Sequence, residues 1–178
     1  MEYDLVRVNV CECLPPGTQI AVKGLLKNLD PRLKYLYPVV SPDGYYYHHG
    51  VHLSSCEVIH FSAEENKADA KPRKCDINEF RSRGEDRGAL YKVVYKNKER
   101  VLPLNQTVAK AEEVINQPDK WPKYHILDNN CESFACWLKT GQKKSVQASN
   151  AISYAIPTVA CVGLMVVLVA ILYIQYSR

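Results

Sequence analysis

The spacing of apolar and polar residues changes period several times along the chain, and each change marks an element. Residues 1–14 alternate mildly, predicting an edge strand, and Pro15-Pro16-Gly17 is a turn signal. Thr18 to Lys23 (TQIAVK) alternates as a half-buried strand does. Residues 24–43 are rich in Lys, Leu, Tyr and Pro without a sustained period; they read as a loop with room for one helical turn, a candidate for contact with the site and with membrane. Tyr45 to Leu53 and Glu57 to Phe61 are aromatic and apolar enough for two strands, joined through Ser54-Ser55-Cys56 as a hairpin. Side chains alternate along a strand, so His48, Gly50 and His52 share one face and His49, Val51 and Leu53 the other. A turn centred on Ser54 sets His48 opposite His60.

Residues 63–88 are charged and poor in large apolar side chains, which predicts a long surface excursion. Ala89 to Tyr95 alternates into a strand, Lys96 to Glu99 is a turn, and Val101 to Leu104 is a short stretch broken by Pro103. From Asn105 the period becomes helical, with Thr107 as cap and Val108, Ala111, Val114 and Ile115 on one face up to Gln117-Pro118. A second helix begins after Asn130: Cys131, Phe134, Ala135 and Leu138 fall at i, i+3, i+4 and i+7, Asn130 is a good N-cap, and Gly141 suits a left-handed C-cap. The expected fold class is α+β, an antiparallel sheet packed with helices. No internal repeat and no second globular domain is apparent.

One run lies outside this scheme. Ala155 to Ile174 carries no charge and no polar stripe, and its 20 residues as a helix would cross a hydrocarbon core of about 30 Å. Pro157 falls in its first turn, where a missing N–H does no harm. Lys139, Lys143 and Lys144 precede it and Arg178 follows, so the positive-inside rule turns the folded part to the cytoplasm. Met1-Glu2-Tyr3-Asp4 offers no secretory signal. The expected organisation is a domain over residues 1–150 and a single-pass transmembrane tail anchor over 155–174, with membrane as the chain's location. Seven scattered cysteines without a paired framework fit a reducing compartment. The formal charge of +4 is interspersed with acids and forms no stripe for nucleic acid.

A cysteine in the first turn of a helix meets a positive helix end, and such a position beside an imidazole lowers a thiol pKa from about 8.5 to roughly 3.5–7.5. A cysteine activated by a base, itself oriented by a third group, is the arrangement of acyl transfer. The candidates are Cys131 as nucleophile, His48 as base and His60 as the orienting group, with first-turn backbone N–H groups for the oxyanion. The plain alternative makes Cys131 one more buried core residue. Zinc is the rival for the histidines, but no Cys-x-x-Cys pair occurs and His48 and His52 lie about 13 Å apart along a strand, so no metal or other cofactor is expected. His49 is the main competitor of His48; His52 and His125 read as strand or surface residues.

His48-His49-Gly50-Val51-His52-Leu53, then His60-Phe61, then Asn129-Asn130-Cys131-Glu132-Ser133-Phe134 resemble the His-x-Gly box, second histidine and Asn-Cys-Glu box of the lecithin retinol acyltransferase family. Pro16-Gly17-Thr18-Gln19-Ile20 is similar to its opening Pro-Gly-Asp strand, with Thr18 in place of the acid, and Ser133 stands where a histidine is frequent. The resemblance covers about residues 14–145 and implies a circularly permuted, NlpC-type papain-like fold. It also implies Cys131 as nucleophile, His48 as base and His60 as third member. With the apolar tail it is similar to the phospholipase A and acyltransferase subgroup, implying membrane glycerophospholipids as partners and an acyl-thioester on Cys131, released to water or to an amine or hydroxyl of another lipid. Two readings stay open beside it: a catalytically inactive membrane-tethered interaction protein, and a papain-like peptidase or isopeptidase.

Overall fold

A computed structural model describes residues 2–9, 12–25, 44–54, 56–63, 69–125 and 128–153. Its centre is an antiparallel sheet of β1 (Tyr3–Arg7), β2 (Gln19–Leu25), β3 (Tyr45–His52), β4 (Glu57–Ser62), β5 (Lys71–Asp76) and β6 (Leu90–Tyr95). The strand order is β1-β6-β2-β3-β4-β5, with every neighbouring pair antiparallel. The helices α1 (Ile77–Ser82), α2 (Leu104–Ile115) and α3 (Cys131–Thr140) accompany it, with a 3-10 turn at Pro118–Lys120 and a further helical segment over 146–153. The α+β class and the predicted edge strand β1 are thus present.

Both faces of the sheet are covered. On one, Val51, Leu53, Ile59 and Phe61 pack against Ala111 of α2, Phe134, Ala135 and Leu138 of α3, and Trp121. On the other, Ile20, Val22, Val58 and Cys75 pack against Phe80 of α1. The α2 face is the predicted one, Val108, Ala111, Val114 and Ile115 all joining the first cluster. Its start is not: the helix begins at Leu104 after Pro103, and the buried Thr107 hydroxyl donates to Pro103 O at 3.1 Å instead of capping.

The expected excursion over 63–88 is corrected by two elements, β5 and α1. β5 is an edge strand whose buried residues are only Pro72 and Cys75, the remaining positions being charged and wholly or partly exposed. Such charge on an edge discourages pairing with another chain, and an edge is where proline is tolerated in a sheet. α1 is capped by Asp76, which accepts from Asn78 N at 2.7 Å, and buries Phe80 alone.

β3 pairs with β2 from Tyr45 to Val51 and with β4 from Gly50 to His52.

Two expectations about the tail meet the structure differently. Residues 155–174 and most of the 24–43 loop lie outside the described residues, and among those described no helix is long and apolar enough to cross a membrane. Lys139, counted among the cations flanking the apolar run, is buried: its Nζ donates to Gly17 O at 3.1 Å and, at 3.4 Å each, to Leu102 O and Thr107 Oγ1. Lys143 Nζ sits 4.3 Å above the Trp121 ring.

Candidate functional site

The helix that carries Cys131 forms for local reasons that the sequence displays. Asn130 Oδ1 accepts from Ser133 N at 2.9 Å while Ser133 Oγ accepts from Asn130 N at 2.8 Å, a reciprocal capping box. Gly141 closes the other end at φ 75°, its N–H donating to Trp137 O at 2.8 Å. Cys131 is therefore the first residue of the helix proper, buried, at the positive end of its dipole. Ser133, at a position where the resemblance leads one to expect histidine, is fully buried as the reciprocal half of the cap.

His48 and His60 meet, though not as direct cross-strand partners. Gly50, not His48, is opposite His60, because the hairpin centres one residue later than Ser54. The two histidines are diagonal neighbours on one face, and His48 Nε2 lies 2.8 Å from His60 Nδ1 with the rings edge to face. Phe80 covers both, its ring centroid 5.4 Å from that of His48 and 5.7 Å from that of His60. Gly50 makes this possible: a Cβ there would lie 2.7 Å from Val58 Cγ1, 2.9 Å from Phe80 Cε2 and 3.0 Å from Ile59 O.

Burial, with the charges of Arg83 and Arg73 adding to it, pushes the His60 imidazole down to about 3. His60 is therefore neutral at physiological pH, with one ring nitrogen a donor and the other an acceptor. Ser62 Oγ lies 3.2 Å from its Nε2. A proton on His60 Nε2 directed at Ser62 leaves Nδ1 to accept from His48 Nε2–H, and that tautomer of His48 carries its lone pair on Nδ1.

α3 packs on β3 and β4. The Tyr46 hydroxyl is pushed up to about 12, first by burial and then by negative charge on Cys131. Tyr46 and His48 share a face of β3.

The competitor His49 is on the opposite face, fully buried, with Nδ1 3.2 Å from Gln19 Nε2 and Nε2 3.5 Å from the Tyr3 hydroxyl. Burial lowers its pKa, an effect that the charge of Glu132 partly opposes. His52 is buried on the His48 face with Nδ1 unpartnered among the described residues, and His125 is bonded to Asp128 at 2.5 Å on the surface. Among the described residues no group of three or more His, Cys, Asp or Glu could hold a metal ion.

Glu132 is a residue whose part the sequence conceals. It is buried and accepts from the Tyr3 hydroxyl at 2.6 Å, Ser145 Oγ at 2.5 Å and Val146 N at 2.7 Å. Burial and the Glu132 charge together raise the Tyr3 hydroxyl. The motif box alone marked the position, since its partners are far away in the chain.

The family model for lecithin retinol acyltransferase matches residues 36–144, more than half of the 178-residue chain. No curated protein matches the chain.

Proposed function

The chain belongs to the lecithin retinol acyltransferase family, and from that premise, which brings acyltransferase or phospholipase activity in general, we propose a cysteine-based transfer of fatty-acyl groups from glycerophospholipids. The fold is then the circularly permuted papain-like arrangement, with the cysteine helix lying over the strands that bear the histidines. The observations that support the reading most are the buried 2.8 Å bond between His48 and His60 and a cysteine at a capped helix N-terminus.

In the proposed reaction His48 Nδ1 takes the Cys131 thiol proton, and the sulfur attacks the ester carbonyl of the phospholipid. First-turn backbone N–H groups receive the oxyanion. The carbonyl re-forms as the C–O bond breaks, His48 returns the proton to the departing lysolipid alkoxide, and an acyl-thioester remains on Cys131. His48 then takes a proton from water, or from the amine or hydroxyl of a second lipid, as that acceptor attacks the thioester carbonyl; the C–S bond breaks, and His48 returns the proton to the departing Cys131 thiolate. His60 holds the tautomer and stabilises the imidazolium through its neutral Nδ1. The apolar run 155–174 is proposed as the single-pass anchor that holds the domain on the cytoplasmic membrane face, replacing a search through solution by one along a surface.

Lysolipid release from phosphatidylcholine in mixed micelles, measured for the full chain and for Cys131→Ser and His48→Ala, tests the proposal. Turnover that falls to background in both variants supports it; turnover retained in Cys131→Ser removes it.

A further inference from the structure

The helical segment 146–153 begins just beyond the family match, and its first turn is built onto the site. Ser145 Oγ accepts from Ala148 N at 3.0 Å, while the Glu132 carboxylate receives Ser145 Oγ, Val146 N and Gln147 N, the last at 3.1 Å to Oε2. An acid at a helix N-terminus is favoured by the dipole as well as by these bonds. Glu132 is the residue after Cys131.

Gln147 makes a second connection. Its Oε1 accepts from Tyr47 N at 2.6 Å and its Nε2 donates to Tyr47 O at 3.0 Å. One side-chain amide thus supplies both halves of a ladder rung to the stretch of β3 that β4 leaves uncovered. The same Nε2 donates to Glu132 Oε2 at 3.1 Å. Tyr47 is the residue before His48. A single amide therefore joins the backbone flanking the histidine to the carboxylate flanking the cysteine, across 100 residues on one side and 15 on the other.

We propose that Gln147 is a positioning residue, setting the separation of the Cys131 thiol and the His48 imidazole through Glu132 and the backbone of Tyr47. The proposal rests on the reading of Cys131 and His48 as a nucleophile–base pair. Removing the amide frees the β3 edge and the first turn of α3 to move independently, and a pair that depends on contact distance loses its coupling before the core loses its packing. Orientation errors of about 1 Å remote from the chemistry cost on the order of a hundredfold in rate.

The test needs no lipid. Alkylation of Cys131 by iodoacetamide, followed peptide by peptide in the full chain in detergent from pH 5 to 10, reports the thiolate that the imidazole stabilises. Gln147→Ala is expected to move the rise of the Cys131 profile to higher pH and to lower its rate near neutrality about tenfold, with the far-ultraviolet circular dichroism unchanged. An unshifted profile in a folded variant overturns the proposal.

Gln147→Glu retains side-chain length and covers the case in which the alanine variant does not fold. A carboxylate at 147 repels Glu132 and cannot donate to Tyr47 O, whereas its protonated form can donate again. The ratio of variant to wild-type rate is therefore expected to fall as pH rises through the carboxyl titration; a ratio independent of pH overturns the proposal. A shifted profile in a protein that releases no lysolipid would leave the positioning role standing and remove the lipid substrate instead.

Discussion

Acid should weaken the domain through His60, and the loss can be worked out. Burial and two arginine charges hold its imidazole near 3 in the folded chain, against an ordinary value of about 6.5 when unfolded. Between those values the unfolded chain binds a proton that the folded chain refuses, so stability is fully present above the unfolded pKa and falls as pH drops towards the folded one. Each unit in that window costs about 1.4 kcal/mol, and lowering the pH from 7.5 to 5 removes about 2 kcal/mol through this one group. Urea unfolding followed by circular dichroism at the two pH values, for the wild type and for His60→Gln, isolates the contribution. The variant is less stable throughout, because His48 Nε2 loses its imidazole partner, but its loss on acidification should be smaller than that of the wild type by about 2 kcal/mol. Equal losses in the two proteins would refute the claim that His60 is held neutral, and with it the assignment of its Nδ1 as an acceptor for His48.

Gly50→Ala places a methyl group against Val58, Phe80 and Ile59 O within the buried sheet face; a loss of about 1–3 kcal/mol, seen as a Tm lower by several degrees, is expected, together with reduced turnover as Phe80 moves against the histidines. Glu132→Gln sets amide hydrogens against the Ser145, Val146 and Gln147 donors; denaturant unfolding should show a loss of about 2–3 kcal/mol, and unchanged stability would contradict the role given to the carboxylate. His49→Gln, on the face away from the histidine pair, should leave lysolipid release within a fewfold of wild type in the folded protein, whereas His48→Gln should abolish it.

The legibility of these features tracks how local their causes are. The cysteine helix was readable end to end because its caps, Asn130 and Gly141, lie within its own sequence and act on adjacent backbone. The histidine face was readable from strand alternation, but the hairpin centre lies one residue later and the pairing is shifted by two, since hairpin geometry is fixed by the turn and Ser54-Ser55-Cys56 carries no turn residue that dictates a type. β5 and α1 were hidden because each contributes so little apolar surface: Pro72 and Cys75 on one, Phe80 on the other, amid charge that elsewhere means loop. The part played by Glu132 was hidden for the opposite reason. Its donors come from Tyr3, 129 positions away, and from residues 145–147, 13 to 15 positions away, and no local pattern announces such a carboxylate.

The central claim is that Cys131 carries the acyl group, and mass spectrometry tests it most directly. The full chain, mixed briefly with phosphatidylcholine micelles and quenched in acid, should show a fatty-acyl adduct on the peptide containing Cys131, absent from Cys131→Ala and His48→Ala. A wild-type protein with no adduct and no released lysolipid would contradict the account and turn attention to a tethered binding role or to a substrate that is not a lipid.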